Sequence, residues 1–337
     1  MRFSLLAALA VGAALVSPAA ASAALAPPAP TGPASVGLVR TTIVDNHVTN
    51  PLLPAGAANE IPLRIWYPAS RPGAAPGPVL TPAEQDAWES GFDLPAHALD
   101  GLGATTTADA PPVRGRHPVL LLSHGLGGTT AFHTAQATDL ASHGYVVVGI
   151  DLPGDATFVD VGGGRVVPQN PNGEDYIREL AVDARIAEMR SVVDQIQRLR
   201  GTGLIDVNRV GVFGHSLGAS ATAGALQADR RLRAGVMLDG LALPPVAERG
   251  FDKPLAIAMG SAVPLDDPRL VALRRHLRGP HVFRHFPTSG HSAFSDFVWM
   301  LPQLGLPPEA AENGTVEPAA AVSGQRDFLL RWFDRYL

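Results

Sequence analysis

The pentapeptide Gly214-His215-Ser216-Leu217-Gly218 directly follows the apolar run Val210 to Phe213 and precedes a stretch of small residues able to continue as a helix. A turn this tight between strand and helix crowds its neighbours. Glycines on both flanks let the backbone bend while the serine hydroxyl projects from the turn. The motif therefore demands a strand before it and a helix after it.

The surrounding pattern agrees. Apolar runs at Pro118–Leu122 and Tyr145–Ile150 predict strands buried on both faces, and Val210–Phe213, Ala234–Leu238, Leu255–Met259 and His281–Phe286 predict further short strands. Helical stretches separate them. Thr134–Ser142 is one, and Val182, Ile186, Met189, Val193, Ile196 and Leu199 recur at steps of three and four, predicting an amphipathic helix over Val182–Arg200 with its charges largely on the other side. A last helix near Gln325–Leu337 carries Phe328, Leu329, Trp332, Phe333 and Tyr336. Alternating strands and helices imply right-handed crossovers and an α/β fold with a mostly parallel sheet covered on both faces. Upstream, Val36–Val44 and Ile61–Tyr67 read as a leading hairpin. The segments 68–116 and 151–178, rich in Gly, Pro and Asn, are candidate cap or lid segments.

Serine is a poor nucleophile at neutral pH and needs a base, usually a histidine held by a carboxylate. Of the histidines after Ser216, His291 sits in a Ser289-Gly290-His291-Ser292 loop just past the last strand, whereas His276, His281 and His285 fall in a basic helical stretch or in the strand itself. Two carboxylate sites compete: Asp239 at the end of Val236-Met237-Leu238, and Asp266 or Asp267 after the next strand, bracketed by Pro264 and Pro268. Spacing leaves them even. An oxyanion also needs two N–H donors. Leu217, after the serine, is one candidate; Leu126, in the glycine-rich loop Ser123-His124-Gly125-Leu126-Gly127-Gly128, is the other, with His124 read as structural.

Residues 1–26 have the form of a secretory signal peptide: Met1-Arg2, an apolar run from Phe3 to Val16, Ser17-Pro18, and A-x-A sites such as Ala21-Ser22-Ala23. The run is shorter than the roughly 20 residues a bilayer needs, so the expectation is a secreted protein without stable membrane insertion after cleavage. The remainder, 27–337, is long enough for a single domain, with residues 26–35 as an N-terminal linker. An exported chain with no cysteine must hold its fold by packing alone, and it has no thiol nucleophile. A net charge of −5 without any Lys/Arg run offers nothing to nucleic acid. No nucleotide loop or metal-ligand spacing stands out, so no cofactor and no metal are expected, and the pattern specifies no oligomer.

Taken together, Ser123-His124-Gly125-Leu126-Gly127, Asp139 to Tyr145, Gly214-His215-Ser216, Leu238-Asp239 and Gly290-His291 with Phe294, Asp296 and Phe297 resemble the plasma platelet-activating factor acetylhydrolase family (isoform II). The resemblance covers roughly residues 115–337. It implies an α/β-hydrolase fold, a triad of Ser216, Asp239 and His291, and Leu126 and Leu217 as oxyanion donors. It also implies hydrolysis of a carboxylic ester, with a short acyl chain or a lipid-type substrate, through an acyl-enzyme. Gly240-Leu241 and Gly218-Ala219 depart from the family pattern, which bears on substrate more than on chemistry. The competing expectations are a cutinase or polyester hydrolase with its acid at Asp266, and a degenerate hydrolase fold kept as a binding module.

Overall fold

The computed structural model describes residues 24–198 and 204–337. Most of the expected leader therefore lies outside the described residues. The strands, in chain order, are β1 (Ser35–Val44), β2 (Glu60–Ala69), β3 (Ala75–Pro76), β4 (Thr107–Ala108), β5 (His117–Ser123), β6 (Val146–Ile150), β7 (Phe158–Asp160), β8 (Val166–Pro168), β9 (Ile205–His215), β10 (Leu232–Leu238), β11 (Leu255–Met259) and β12 (His281–His285). The helices are α1 (Pro82–Gly91), α2 (Thr134–Ser142), α3 (Glu174–Arg198), α4 (Leu217–Ala228), α5 (Pro244–Arg249), α6 (Pro268–His276), α7 (Phe297–Gln303) and α8 (Pro318–Tyr336).

One large sheet runs in the order β12-β11-β10-β9-β5-β6-β2-β1-β4-β3, and β7 and β8 form a separate hairpin. From β6 to β12 neighbouring strands are parallel, and β2 is antiparallel to both β6 and β1. This is the α/β-hydrolase architecture. Side chains alternate across the sheet as a pleated strand requires. Leu120 and Leu122 of β5 pack with Leu140, Phe328, Leu329 and Phe333 on the α2/α8 face. Val119 and Leu121 pack with Val182, Met189, Val193 and Leu226 on the α3/α4 face. Burying each such side chain stabilises by roughly 1.5–3 kcal/mol, which lets a cysteine-free chain hold together.

Two expectations are corrected. The segment 26–35 is no free linker. Thr31 donates from its N and Oγ1 to Asp139 Oδ1 at 2.8 and 2.9 Å, Arg326 donates to the carbonyls of Ala29 and Pro28, and Leu25 is buried. Nor do all the charges of the 182–200 helix, whose last two residues lie outside the described ones, stay on its outer side. The helix begins earlier, at Glu174, and buries Arg185 and Glu188 within its apolar stripe.

Arg185 enters a buried ion pair on the α3 side of the sheet, and a second buried ionic cluster lies on the opposite face, beneath α1. Arg64 pairs with Asp151 and Glu84, Arg40 pairs with Glu84 at 2.8 Å, and Arg185 pairs with Asp155 at 2.5 Å. Glu188 lies near Arg185 and Asp155 with neither carboxylate oxygen hydrogen-bonded, and burial pushes its acid well above the usual glutamate range. It is held as a neutral acid. The native state therefore keeps a proton that the unfolded chain releases above its ordinary value near 4.5, so Glu188 makes stability fall as pH rises from there toward its native value. We expect Glu188→Gln to raise the thermal midpoint at pH 8, with a gain that vanishes below pH 4.5. Across the window the gain grows by up to about 1.4 kcal/mol per pH unit. Melting curves across pH with a gain that does not depend on pH would show that Glu188 is ionised in the fold.

Candidate active site

β9 ends at His215, and the next residue, Ser216, takes φ 57° and ψ −119° before α4 begins at Leu217. A non-glycine residue tolerates that backbone only when its surroundings hold it there. They do so by close backbone contact. A Cβ on Gly218 would lie 2.2 Å from the Ser123 carbonyl oxygen, and one on Gly214 would lie 2.4 Å from the Gly218 oxygen. The Ser216 N–H is fixed by the Leu238 carbonyl at 2.9 Å.

Parallel pairing sets the ends of β5, β9 and β10 side by side, with Ser123 opposite Gly214 and Leu238 opposite His215. The residues at and beyond each strand end are thus neighbours: the Ser123–Gly128 loop, Ser216, and Asp239. His291 arrives from the loop after β12. Its Nε2 lies 2.8 Å from Ser216 Oγ, and its Nδ1 lies 2.6 Å from Asp239 Oδ2. The carboxylate accepts at Nδ1, so Nδ1 carries the proton and the Nε2 lone pair faces the serine hydroxyl. Asp239 is fully buried, and its other oxygen accepts the Gly260 N–H at 2.6 Å. Like Ser216, it has a positive φ, 45°. Asp266 is exposed on the turn before α6, while the carboxylate at His291 Nδ1 is that of Asp239; Asp267 caps α6 by accepting the Arg269 N–H.

The Leu126 and Leu217 N–H groups have no partner among the described residues, and both residues are buried. The Leu126 loop lies against the serine: a Cβ on Gly125 would stand 3.2 Å from Ser216 Cβ. A cleft of about 740 Å3 opens over Ser216 and His291. Leu217, Leu241, Leu243, Val263 and Pro264 supply its apolar wall, and Glu174, Asp175, Arg178, Asp267 and Arg269 its charged rim. Of the two candidate lid segments, 151–178 contributes the start of α3 to this rim. The 68–116 segment packs elsewhere, with Trp88 stacked on Phe92 and edge-on to Phe132 and Phe158.

Several supporting residues escape a sequence reading. His215 donates from Nε2 to the His291 carbonyl at 2.9 Å and packs its ring 4.8 Å from the His291 ring. Burial, and then the neighbouring imidazole of His291, hold it well below the usual histidine range, so it stays neutral. Asp296 accepts the N–H groups of Thr134 and Ala135 at 2.5 and 3.0 Å, tying the His291 loop to the positive end of α2. His124, by contrast, is read as structural from the sequence; it is buried, pushed down to about 4 chiefly by burial, and its Nε2 accepts the Leu152 N–H. The one sequence signal for Arg185 is its place three residues after Val182, inside the apolar stripe.

The glycine at 218 is testable by itself. Gly218→Ala forces a methyl group into the Ser123 carbonyl, and we expect a loss of about 3 kcal/mol in denaturant unfolding. An unchanged midpoint would mean that the β5 loop can retreat.

Comparison with known proteins agrees with this architecture. The family model described as platelet-activating factor acetylhydrolase, isoform II, matches residues 104–154 and 180–257, a stretch that contains Leu126, Ser216, Leu217 and Asp239 and stops before His291. A platelet-activating factor acetylhydrolase of Canis lupus familiaris is 28% identical over 162 residues, covering 38% of this chain and 36% of that protein; the chain thus spans about a third of the length of the curated relatives it matches. Among solved structures, a ferulic acid esterase from Streptomyces cinnamoneus aligns with a TM-score of 0.79 and 27% identity over 92% of both chains. The dienelactone hydrolase-like phosphotriesterase P91, at 14% identity and a TM-score of 0.55, shares the fold. The chain has the α/β-hydrolase fold and, across its central strands, resembles the platelet-activating factor acetylhydrolase isoform II family.

Proposed function

We propose that this protein is a serine hydrolase of carboxylic esters that works through an acyl-enzyme. The observation that carries the reading is the unbroken hydrogen-bonded line from Ser216 Oγ through His291 to Asp239, at 2.8 and 2.6 Å, on three loops at one end of the sheet. Ser216 Oγ attacks the ester carbonyl while His291 Nε2 takes its proton. Negative charge collects on the former carbonyl oxygen, for which Leu126 and Leu217 offer N–H groups without other partners among the described residues. As the intermediate collapses, the alcohol leaves with the proton from His291. A water activated by the same imidazole then releases the acid. Asp239 holds the ring in the Nδ1–H tautomer and balances the imidazolium as it forms.

The acyl and alcohol sides are assigned to small or lipid-type esters. The cleft is apolar near the serine and charged at the rim, and the acetylhydrolase and ferulic acid esterase relatives, by their names, act on esters. The carboxylate at His291 Nδ1 is that of Asp239 and Asp266 is exposed, so the polyester-hydrolase alternative gains no support. The protein is proposed to act outside the cell. Leu25 is buried against the body, which favours cleavage after Ala23 over a later site, and no helix among the described residues is long and apolar enough to cross a membrane.

On a short-chain nitrophenyl ester, Ser216→Ala should lower kcat by at least about 10⁴-fold, Asp239→Asn by about 10³- to 10⁴-fold, and Asp266→Asn by less than about twofold. A fluorophosphonate should label the wild type and not Ser216→Ala. Full activity in Ser216→Ala would sink the assignment, and a wild type that neither labels nor hydrolyses would indicate a binding module. Mass spectrometry of the exported protein should find Ala24 at the mature N-terminus; a start beyond Leu25 contradicts the proposed site.

A further inference from the structure

We infer that Arg185, paired with Asp155, is a positioning residue that aims the Leu126 N–H at the reacting oxygen. The inference rests on the ester-hydrolase reading and extends it to a side chain that never meets substrate. Arg185 projects from α3 into the space behind the β5 loop and is buried. Its Nε and Nη2 donate to Asp155 Oδ2 at 2.9 and 2.5 Å, its Nη1 donates to Ser123 Oγ at 2.8 Å and to the His124 carbonyl at 2.5 Å, and Nη2 reaches the Gly125 carbonyl at 3.3 Å. The other oxygen of Asp155 accepts the Gly127 N–H at 3.1 Å. One ion pair thus grips three consecutive residues of the loop before Leu126 and the residue after it.

The geometry of the peptide unit turns this grip into aim. The Gly125 carbonyl and the Leu126 N–H belong to one planar, trans peptide, so they point in opposite directions. Besides Arg185, the Gly125 oxygen accepts the Gly128 N–H at 3.1 Å and the His124 Nδ1–H at 2.7 Å. Three donors therefore hold the carbonyl on the α3 side, and the Leu126 N–H is turned to the opposite side. A donor that is fixed before the charge develops costs no reorganisation when it does, and a displacement of about 1 Å can forfeit about 10²-fold in rate. Only a guanidinium has the fork to serve Asp155, the serine hydroxyl and two carbonyls together; a lysine ammonium keeps the charge and loses the geometry.

The test compares Arg185→Lys, Arg185→Met and Asp155→Asn with wild type, using nitrophenyl ester kinetics normalised to the number of Ser216 sites titrated by a fluorophosphonate. We expect kcat per titrated site to fall about 10- to 100-fold in both Arg185 variants and about 10-fold in Asp155→Asn, with KM changed less than about threefold. Affinity for a trifluoromethyl ketone, which adds Ser216 to give a tetrahedral oxyanion, should fall in parallel with kcat/KM. Arg185→Met combined with Asp155→Asn should be no slower than Arg185→Met alone, because the two act as one unit. The near-isosteric Asp155→Asn keeps the test open if the Arg185 variants do not fold. A purely structural role would lower the melting temperature and the number of titratable sites while leaving kcat per site and ketone affinity unchanged; that result overturns the inference. A wild type that fails to label overturns the hydrolase reading itself, a separate outcome from a labelled wild type whose Arg185 variants match it per site.

Discussion

The site depends on a single close crossing of backbones. Where β5 and β9 end side by side, the turn around Ser216 passes so near the Ser123 and His124 carbonyls that only a residue without a side chain fits at position 218. That contact fixes the elbow and the glycine-rich loop against each other, and so fixes the separation of a proposed nucleophile from its proposed oxyanion donor. It also sustains the positive φ of Ser216, which an isolated chain would not hold. The parallel sheet is the means by which the crossing is built. Its register places the ends of three adjacent strands at one edge, and the surrounding core makes that edge rigid.

Around this crossing the structure is braced from two sides. On the α2/α8 face, Asp296 ties the His291 loop to the start of α2, and His215 packs against the His291 ring while donating to its carbonyl. On the α3 face, Arg185 and Asp155 hold the loop that carries Leu126. Each brace is a buried polar group with satisfied partners, the arrangement in which low dielectric strengthens a hydrogen bond instead of penalising it. Glu188 is the exception, a buried acid with no hydrogen bond, pushed well above the usual glutamate range by burial.

Much of the fold was legible without coordinates. Strands β5, β6 and β9 to β12, with helix α2, fall within a few residues of where hydrophobic runs and periodicity place them, because the inner strands of a sheet covered on both faces have to be apolar throughout. The 68–116 region was not legible, since its helix α1 is held by Trp88 packing against distant aromatic rings and by Glu84 meeting arginines of β1 and β2. Nor was the docking of residues 26–35, whose partners Asp139 and Arg326 lie far along the chain.

The sequence by itself determined the candidate nucleophile, the candidate base, the α/β class and both proposed oxyanion donors, because each sits in a local pattern: an elbow, a loop after a strand, an alternation of elements. Spacing could not choose between Asp239 and Asp266, and resemblance, not geometry, favoured the former. Only the tertiary structure places Asp239 Oδ2 2.6 Å from His291 and leaves Asp266 in solvent, because which strand end faces the histidine loop is set by sheet order and not by distance along the chain. The same holds for Arg185. A lone arginine in an apolar stripe gains its meaning only when the loop it grips is folded beside it.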